Sequence, residues 1–338
     1  MSLQTVEWPQ ISVIVPIYNG ATDIPNLGEC LCQQTYPKNR VEYLLINNNS
    51  SDSTMVCLQE WQVKAQALGL QVKLLSESEI QSSYAARNQG IRAANGEILA
   101  FTDADCRPHA DWLTTLIHPF QDAHVGLVIG EIAALPGNSL LEQYAEYREM
   151  MTQRYTYSHS FYPYGQTANL AVRKAAFVQA GLFRPYLTTG GDADLCWRVQ
   201  LAGSWRVYFE PKAIIRHRHR ATFKDLASQW RRYGRSNQYL HELHHVNLGP
   251  NVSSRTIARR LTQWLAQDLP KATWKVLRGK APSVALVSVP LDVYCARARS
   301  VGQQQAQLPE AAREIVWLEN SDTTSTKTNL KPEINNLV

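Results

Sequence analysis

The sequence predicts an α/β protein: a mostly parallel sheet flanked by helices, followed by a basic helical extension. Three observations carry this. Short β-branched runs alternate with helix-length segments across the first hundred residues, which favours parallel strands joined by crossover helices. Each of the main apolar runs stops at a polar cluster. Charge is also partitioned along the chain: residues 1–211 hold 14 Lys and Arg against 20 Asp and Glu, whereas residues 212–338 hold 20 against 9. An acidic first part and a basic second part suggest two tasks, the second involving phosphates or an anionic surface.

The elements follow in order. Ile11–Tyr18 is a β-branched run ended by Asn19-Gly20, and residues 41–46 form a second apolar run stopped by Asn47-Asn48-Asn49. Ser51 or Asp52 can cap a helix that runs to Leu68 and closes at Gly69. Residues 71–75 read as a third strand, and a helix over 84–94 stops at Asn95-Gly96. Glu97–Thr102 is a fourth strand that delivers Asp103-Ala104-Asp105 at its carboxyl end. Further on, strands are expected at 127–132, 169–172, 205–209 and 213–215, with helices at 139–151, up to 180, and over 195–201. From 222 the pattern is helical and basic; residues 303–338 are polar and expected to be largely disordered, from about 320 onward.

Composition excludes several classes. A chain of 338 residues with 44% hydrophobic side chains can bury a large core, so wholesale disorder is ruled out. Six cysteines without CxxC spacing exclude a disulfide scaffold and argue against zinc, and with no signal-peptide pattern they fit a reducing cytoplasm. No run approaches the ~18 apolar residues of a membrane span. No GxGxxG follows the first strand, which argues against a dehydrogenase.

In a parallel sheet, ligands sit beyond the carboxyl ends of the strands. Three polar clusters converge there: Tyr18-Asn19, Asn47 to Asp52, and Asp103 to Asp105. Two carboxylates one residue apart repel unless a cation shares them, and hard divalent ions take carboxylate and phosphate oxygens together. Taken alone, such a pair is more often two solvated turn residues; its place at the end of an apolar strand favours a site.

The ordered segments ISVIVPIYNG, LLINNNSSDST, AARNQGIRAANGEILAFTDADC, GQTANLAVRKAAFVQAGLF, GGDADLCWRV and PKAIIRH resemble family 2 glycosyltransferases of GT-A fold, the Rossmann-like nucleotide-diphospho-sugar transferases. The likeness covers about residues 10–220. It implies a metal-dependent inverting glycosyltransferase that uses Mn²⁺ or Mg²⁺ to move a sugar from a nucleotide-diphosphate donor, a UDP-sugar, to a hydroxyl of a glycan or lipid-linked acceptor. Residues 1–220 would form the transferase domain, with nucleotide bound by 10–105 and donor sugar and acceptor by 106–220. By the same likeness Pro16, Tyr18, Asn19, Asn47, Asn49, Arg87 and Asp103 bind the nucleotide, with Asn47 standing where the family has a uracil-binding aspartate. Asp105 is the direct metal ligand, with Asp103 and, at the PxAxxxH spacing, His217. Asp192 is the catalytic base, with Gly191 in place of the family's glutamate, and Asp194 is structural. Arg232, Gln229 and Trp197 are expected near the diphosphate or acceptor. The alternatives are a nucleotidyltransferase or a non-catalytic nucleotide- or polyanion-binding protein.

Residues 221–302 form the basic extension. Residues 212–235 carry eight Lys and Arg against one acid, interleaved with Trp230 and Tyr233. That composition is expected to lie on an anionic leaflet rather than on nucleic acid. Ala285–Tyr294 is expected as a monotopic apolar remnant. The predicted location is therefore cytoplasmic, peripheral on the inner face of the membrane.

Overall fold

The computed structural model describes residues 8–318. Eight strands form one mixed sheet in the order β3-β2-β1-β4-β7-β6-β8-β5. The first half follows the alternation seen in the sequence: β1 (Ile11–Ile17), α1 (Ile24–Cys32), β2 (Val41–Asn47), α2 (Thr54–Ala67), β3 (Gln71–Ser76), α3 (Ser83–Ala93) and β4 (Ile98–Phe101). β1 pairs in parallel with both β2 and β4, and β2 with β3. All seven β1 residues are buried, because helices cover both faces of the sheet, and so its run is apolar rather than alternating.

The second half comprises β5 (Cys106–Pro108), α4 (Trp112–Ile117), β6 (Val125–Ala134), α5 (Leu140–Tyr147), α6 (Gln153–Tyr157), β7 (Leu170–Arg173), α7 (Lys174–Ala180), α8 (Gly191–Ala202) and β8 (Arg206–His217). Here three antiparallel pairings join a sheet whose other four pairings are parallel, as expected. β7 runs antiparallel to β4 and β6, β5 antiparallel to β8, and only β6 and β8 are parallel. The helix expected over 139–151 is cut at Tyr147, with Glu149 in the left-handed region at φ 48°.

The two strands expected at 205–209 and 213–215 are one strand, β8, broken by a bulge where Gly130 faces Glu210 and Glu131 faces Ile214. Pro211 sits in this bulge and has no N–H to offer a ladder. Buried Asn169 plugs it: its Nδ2 donates to the carbonyls of Glu131 and Ala213, both at 2.8 Å, and its Oδ1 accepts from Trp112 Nε1 at 2.8 Å. A side-chain amide thus replaces the backbone partners that the bulge removes. Beyond it, β8 carries His217 to a position opposite Cys106, next to the Asp103–Asp105 turn.

The C-terminal region consists of α9 (Phe223–His244), α10 (Ser254–Gln263), α11 (Leu269–Leu277) and α12 (Ser288–Gln304), with a π-helical turn at Trp264–Asp268. α9 and α12 cross at backbone contact through a glycine on each. A Cβ on Gly234 would lie 1.9 Å from the Arg299 carbonyl, and one on Gly302 would lie 2.0 Å from the Arg231 carbonyl. The segment expected as a monotopic remnant is instead packed on the body along one side: Ala285, Val289 and Leu291 are buried, while Tyr294 is exposed. Leu291 and the flanking Val284 and Cys295 lie against Leu226 of α9 and Leu141 and Tyr144 of α5. The polar stretch from 303 is packed through 318: Ala312 is fully buried and Leu182 N donates to the Val316 carbonyl at 2.7 Å. The disordered tail expected from about 320 lies outside the described residues.

Asp194 ties these parts together. Fully buried on α8, it receives Arg184 at 3.0 Å, Arg198 at 2.9 Å and His244 from the end of α9 at 3.0 Å. Arg184 also donates to the carbonyls of Ala312 and Arg313. Burial alone would raise this carboxyl's pKa. Arg198, His244 and Arg184 outweigh it and hold the group well below the usual carboxylate range.

Two stability outcomes follow. Asp194→Asn leaves two guanidinium groups buried without their anion, and is expected to cost about 3–5 kcal/mol in urea unfolding. Because the folded pKa is depressed, the stability from Asp194 is present above the unfolded aspartate pKa and is lost as pH falls through the folded one; the variant should show a flatter acid limb of stability against pH. Gly302→Ala forces the α9–α12 crossing apart, and should cost about 1–3 kcal/mol in the same measurement.

Candidate active site

At the carboxyl ends of β1 and β4, two clefts open side by side. The first, about 550 Å³, is lined by Pro16, Tyr18, Asn19, Gln81, Ser82 and Arg218 among others. The second, about 350 Å³, is lined by Tyr84, Thr167, Asp192, His217, Gln229 and Tyr233 among others. They share Arg87, Asp103, Asp105, Arg220 and Arg232, so the aspartate turn and three guanidinium groups lie at their junction. A larger hollow of about 960 Å³ lies between Arg92, Glu97, Arg173, Lys174 and Trp317; none of the predicted site residues lines it.

Local structure explains the convergence. β4 ends at Phe101, and the following turn closes with Cys106 N donating to the Asp103 carbonyl at 3.1 Å. Arg87 comes from α3, whose N-cap Ser82 accepts from Tyr84 N. Buried to 3% exposure, Arg87 meets Asp103 Oδ1 with Nη2 at 2.6 Å, and its guanidinium lies 5.6 Å from the Tyr84 ring centre. Such a charge-assisted bond fixes both side chains while Asp103 remains partly open to the cleft. Arg220 and Arg232 have no ion-pair partner among the described residues.

Asp105 Oδ1 stands 3.4 Å from His217 Nε2, and the buried His217 Nδ1 has no hydrogen-bond partner. Cys106 Sγ lies near both, but complete burial, and then Asp105 and Asp103, push its thiol well above its ordinary pKa. The thiol therefore stays protonated. A carboxylate and an underbonded imidazole facing one another suit a divalent ion that takes oxygen and nitrogen donors, with phosphate oxygens and water completing its shell. His219, also buried, is held neutral with a pKa of about 4, first by burial and then by the neighbouring His217.

Asp192 occupies the first turn of α8, behind Gly190 at φ 82°. Its Oδ1 accepts from Thr167 Oγ1 at 2.9 Å. Burial raises its pKa; Arg87 opposes the rise and Asp103 adds to it. Gly191 has a steric reason to lack a side chain. Its N–H donates to Tyr84 OH at 3.0 Å, and a Cβ there would lie 2.7 Å from the Tyr84 ring. Tyr84 fills the space that a glutamate at 191 would need.

Other predicted residues separate. Pro16, Tyr18 and Asn19 line the first cleft. Asn47 and Asn49 do not. Asn47 Oδ1 accepts from Ser50 N at 3.2 Å, which turns it into the loop, and Asn49 takes φ 56°. Asn48 lines the cleft in their place, its amide anchored to the carbonyls of Glu77 and Ile80. Asp52 is a clasp, accepting from Thr54 N at 3.0 Å and Ala21 N at 3.3 Å. Gln229 lines the second cleft and donates to Tyr233 OH at 3.1 Å. Trp197 does not reach either cleft. It is fully buried, donates to the Tyr162 carbonyl at 2.9 Å, and packs among Phe161, Tyr164 and His244.

The sequence reading missed Gln81, Asp23 and Arg218. Asp23 receives Arg107 at 2.8 Å and Arg218 at 2.6 Å, fixing the Arg218 guanidinium at the cleft rim. No local signal links residues so far apart in sequence. The serines before α3 were the only hint of a cleft-facing helix start at Gln81 and Ser82.

Comparison with known proteins gives the family and the fold. The model of glycosyl transferase family 2 matches residues 12–181, and that of glycosyl transferase family group 2 matches residues 98–294. Glycosyltransferase AglE of Haloferax volcanii is 36% identical over 197 residues, 58% of this chain and 62% of its own. Pre-mycofactocin glycosyltransferase of Mycobacterium tuberculosis is 30% identical over 261 residues, 73% of this chain and 55% of its own. The chain thus spans little more than half the length of these curated relatives. Among solved structures, the mannosyltransferase PcManGT from Pyrobaculum calidifontis, in complex with GDP-Man and Mn²⁺, shares the fold with a TM-score of 0.61 at 20% identity, over 89% of this chain and 88% of that one. With family models matching from residue 12 to residue 294, over a sheet whose β4 end carries the aspartate turn, the chain belongs to glycosyl transferase family 2.

Proposed function

We propose that the protein transfers a sugar from a nucleotide-diphosphate donor, a UDP-sugar, to a hydroxyl of a glycan or lipid-linked acceptor, with inversion at the anomeric carbon. The observation that carries this reading is the junction of the two clefts. Anion-binding groups, a candidate metal pair and a carboxylate of raised pKa all line one continuous space. The first cleft takes the nucleoside, between Tyr18, Asn19 and Gln81. Arg87, Arg220 and Arg232 take the diphosphate, since guanidinium groups match phosphate oxygens and stay charged. Asp105 and His217 would hold Mn²⁺ or Mg²⁺, which supplies Lewis-acid stabilisation of the leaving diphosphate. The acceptor enters the second cleft, beside Gln229 and Tyr233.

Asp192 then works as general base. It takes the proton from the acceptor hydroxyl as that oxygen attacks the sugar on the face opposite the diphosphate. Thr167 holds one carboxylate oxygen in place. Burial makes the carboxylate a stronger base than a solvated one, while the Arg87 charge opposes the rise. Residues 1–220 supply this chemistry, and α9 from the following region closes the cleft with Gln229, Arg232 and Tyr233.

The direct test is a thermal-shift panel of UDP, GDP and other nucleoside diphosphates with and without Mn²⁺. One diphosphate should raise the melting temperature, more with Mn²⁺ than without, and Asp105→Ala should remove the metal-dependent part; no shift with any nucleotide would overturn the reading. In a transfer assay, Asp192→Asn should lower turnover by roughly 10²–10⁴-fold and leave the nucleotide shift intact. In the wild type, transfer should fall as pH drops through the raised pKa of Asp192. The acid limb of kcat/KM should therefore lie above the ordinary aspartate range.

A further inference from the structure

α10, the π-helical turn and α11 form one continuous arm, Ser254–Leu277, in which no residue is buried. It rests on the body through contacts such as Trp264 Nε1 donating to the Leu286 carbonyl at 3.1 Å. Leu265, Trp274 and Leu277 project from it at 63%, 58% and 77% exposure. A helix on a globular body ordinarily turns such side chains inward.

The charge on the arm is one-sided. Residues 254–280 carry seven Lys and Arg and a single acid, Asp268, which Arg260 neutralises at 2.7 Å. The other six cations have no ion-pair partner among the described residues. Lys271, Lys275 and Arg278 recur at i, i+4 and i+7 and so form one row. Trp274 and Leu277, three apart, form the row beside it. The two rows meet where the Arg278 guanidinium lies 4.0 Å from the Trp274 ring centre.

We infer that this arm docks on an anionic lipid surface. Its apolar row would enter the headgroup–acyl boundary, and its cationic row would meet lipid phosphates. The chemistry favours this occupant over two others. Aliphatic Leu265 and Leu277 have no part in gripping a nucleic-acid backbone, and two copies of so basic an arm repel each other. α12 packs against both α10 and α9, and so links the arm to the helix that carries Gln229 and Arg232. The docking surface is distinct from residues 212–235 and 285–294, where the sequence had placed membrane contact, and it stands whether or not the cleft transfers sugar.

Vesicle flotation of the full chain tests this. The protein should float with vesicles of mixed phosphatidylglycerol and phosphatidylcholine and stay behind with pure phosphatidylcholine. High salt should weaken flotation. Lys271→Glu/Lys275→Glu/Arg278→Glu, and separately Trp274→Ser/Leu277→Ser, should each reduce bound protein by about tenfold or more. The melting temperature and its response to nucleotide should not change, because these side chains are exposed and remote from the cleft. Failure of the wild type to float on anionic vesicles would overturn the inference. So would undiminished flotation of both variants, insensitivity to salt, or retention on DNA without flotation.

Discussion

The architecture of the site depends on one pairing, Arg87 with Asp103. The fourth strand of a largely buried sheet ends by projecting two carboxylates, one residue apart, into a common space with a third on Asp192. Burial, and then the Asp103 charge, push the Asp192 carboxyl above its ordinary pKa. A guanidinium delivered from α3, itself buried and pinned at 2.6 Å, offsets part of that rise before any ligand arrives. It also stands at the junction of the two clefts, where a diphosphate would be bound. One side chain thus sets the charge balance of the empty fold and prepares the place for the ligand's charge.

Around that pairing, buried polar side chains do work that backbone ladders cannot. Asn169 fills the bulge that lets β8 pass Pro211 and still deliver His217 beside Asp105. Asp194, two residues from Asp192, has the opposite surroundings: it is clasped by Arg184, Arg198 and His244, which hold its carboxyl well below the usual carboxylate range. Two aspartates on one helical turn therefore differ in role because one faces the cleft and the other a cage of cations. That cage also links α8 to the end of α9 and to the segment at 312–313. A helix far along the chain is thereby held where its Gln229 and Arg232 can wall the site.

The departures from the family pattern have local steric or topological causes. Gly191 stands where a glutamate is usual because the Tyr84 ring occupies that space. Asn47 stays out of the first cleft because its side chain caps the turn at Ser50, and its neighbour Asn48 takes the lining position. Trp197, expected near the diphosphate or acceptor, is buried away from the clefts, and Ala285, Val289 and Leu291 of the segment expected on a membrane are buried too. In each case packing against elements distant in sequence absorbed the apolar side chain.

Local sequence determined the first half of the sheet, its helices and the strand ends bearing Tyr18, Asn19, Asp103 and Asp105. These follow from β-branched runs and polar stops, which act over a few residues. It also marked Asp192, Arg87 and His217 through motif order. Only the tertiary structure decided that β7 inserts antiparallel, that 205–217 is one bulged strand, which of three consecutive asparagines faces the cleft, and that Asp23 anchors Arg218. The physical reason is range. Strand and helix preferences are written in neighbouring residues, whereas pairing direction, side-chain facing at a bulge and the partner of a buried charge depend on groups that only folding brings together.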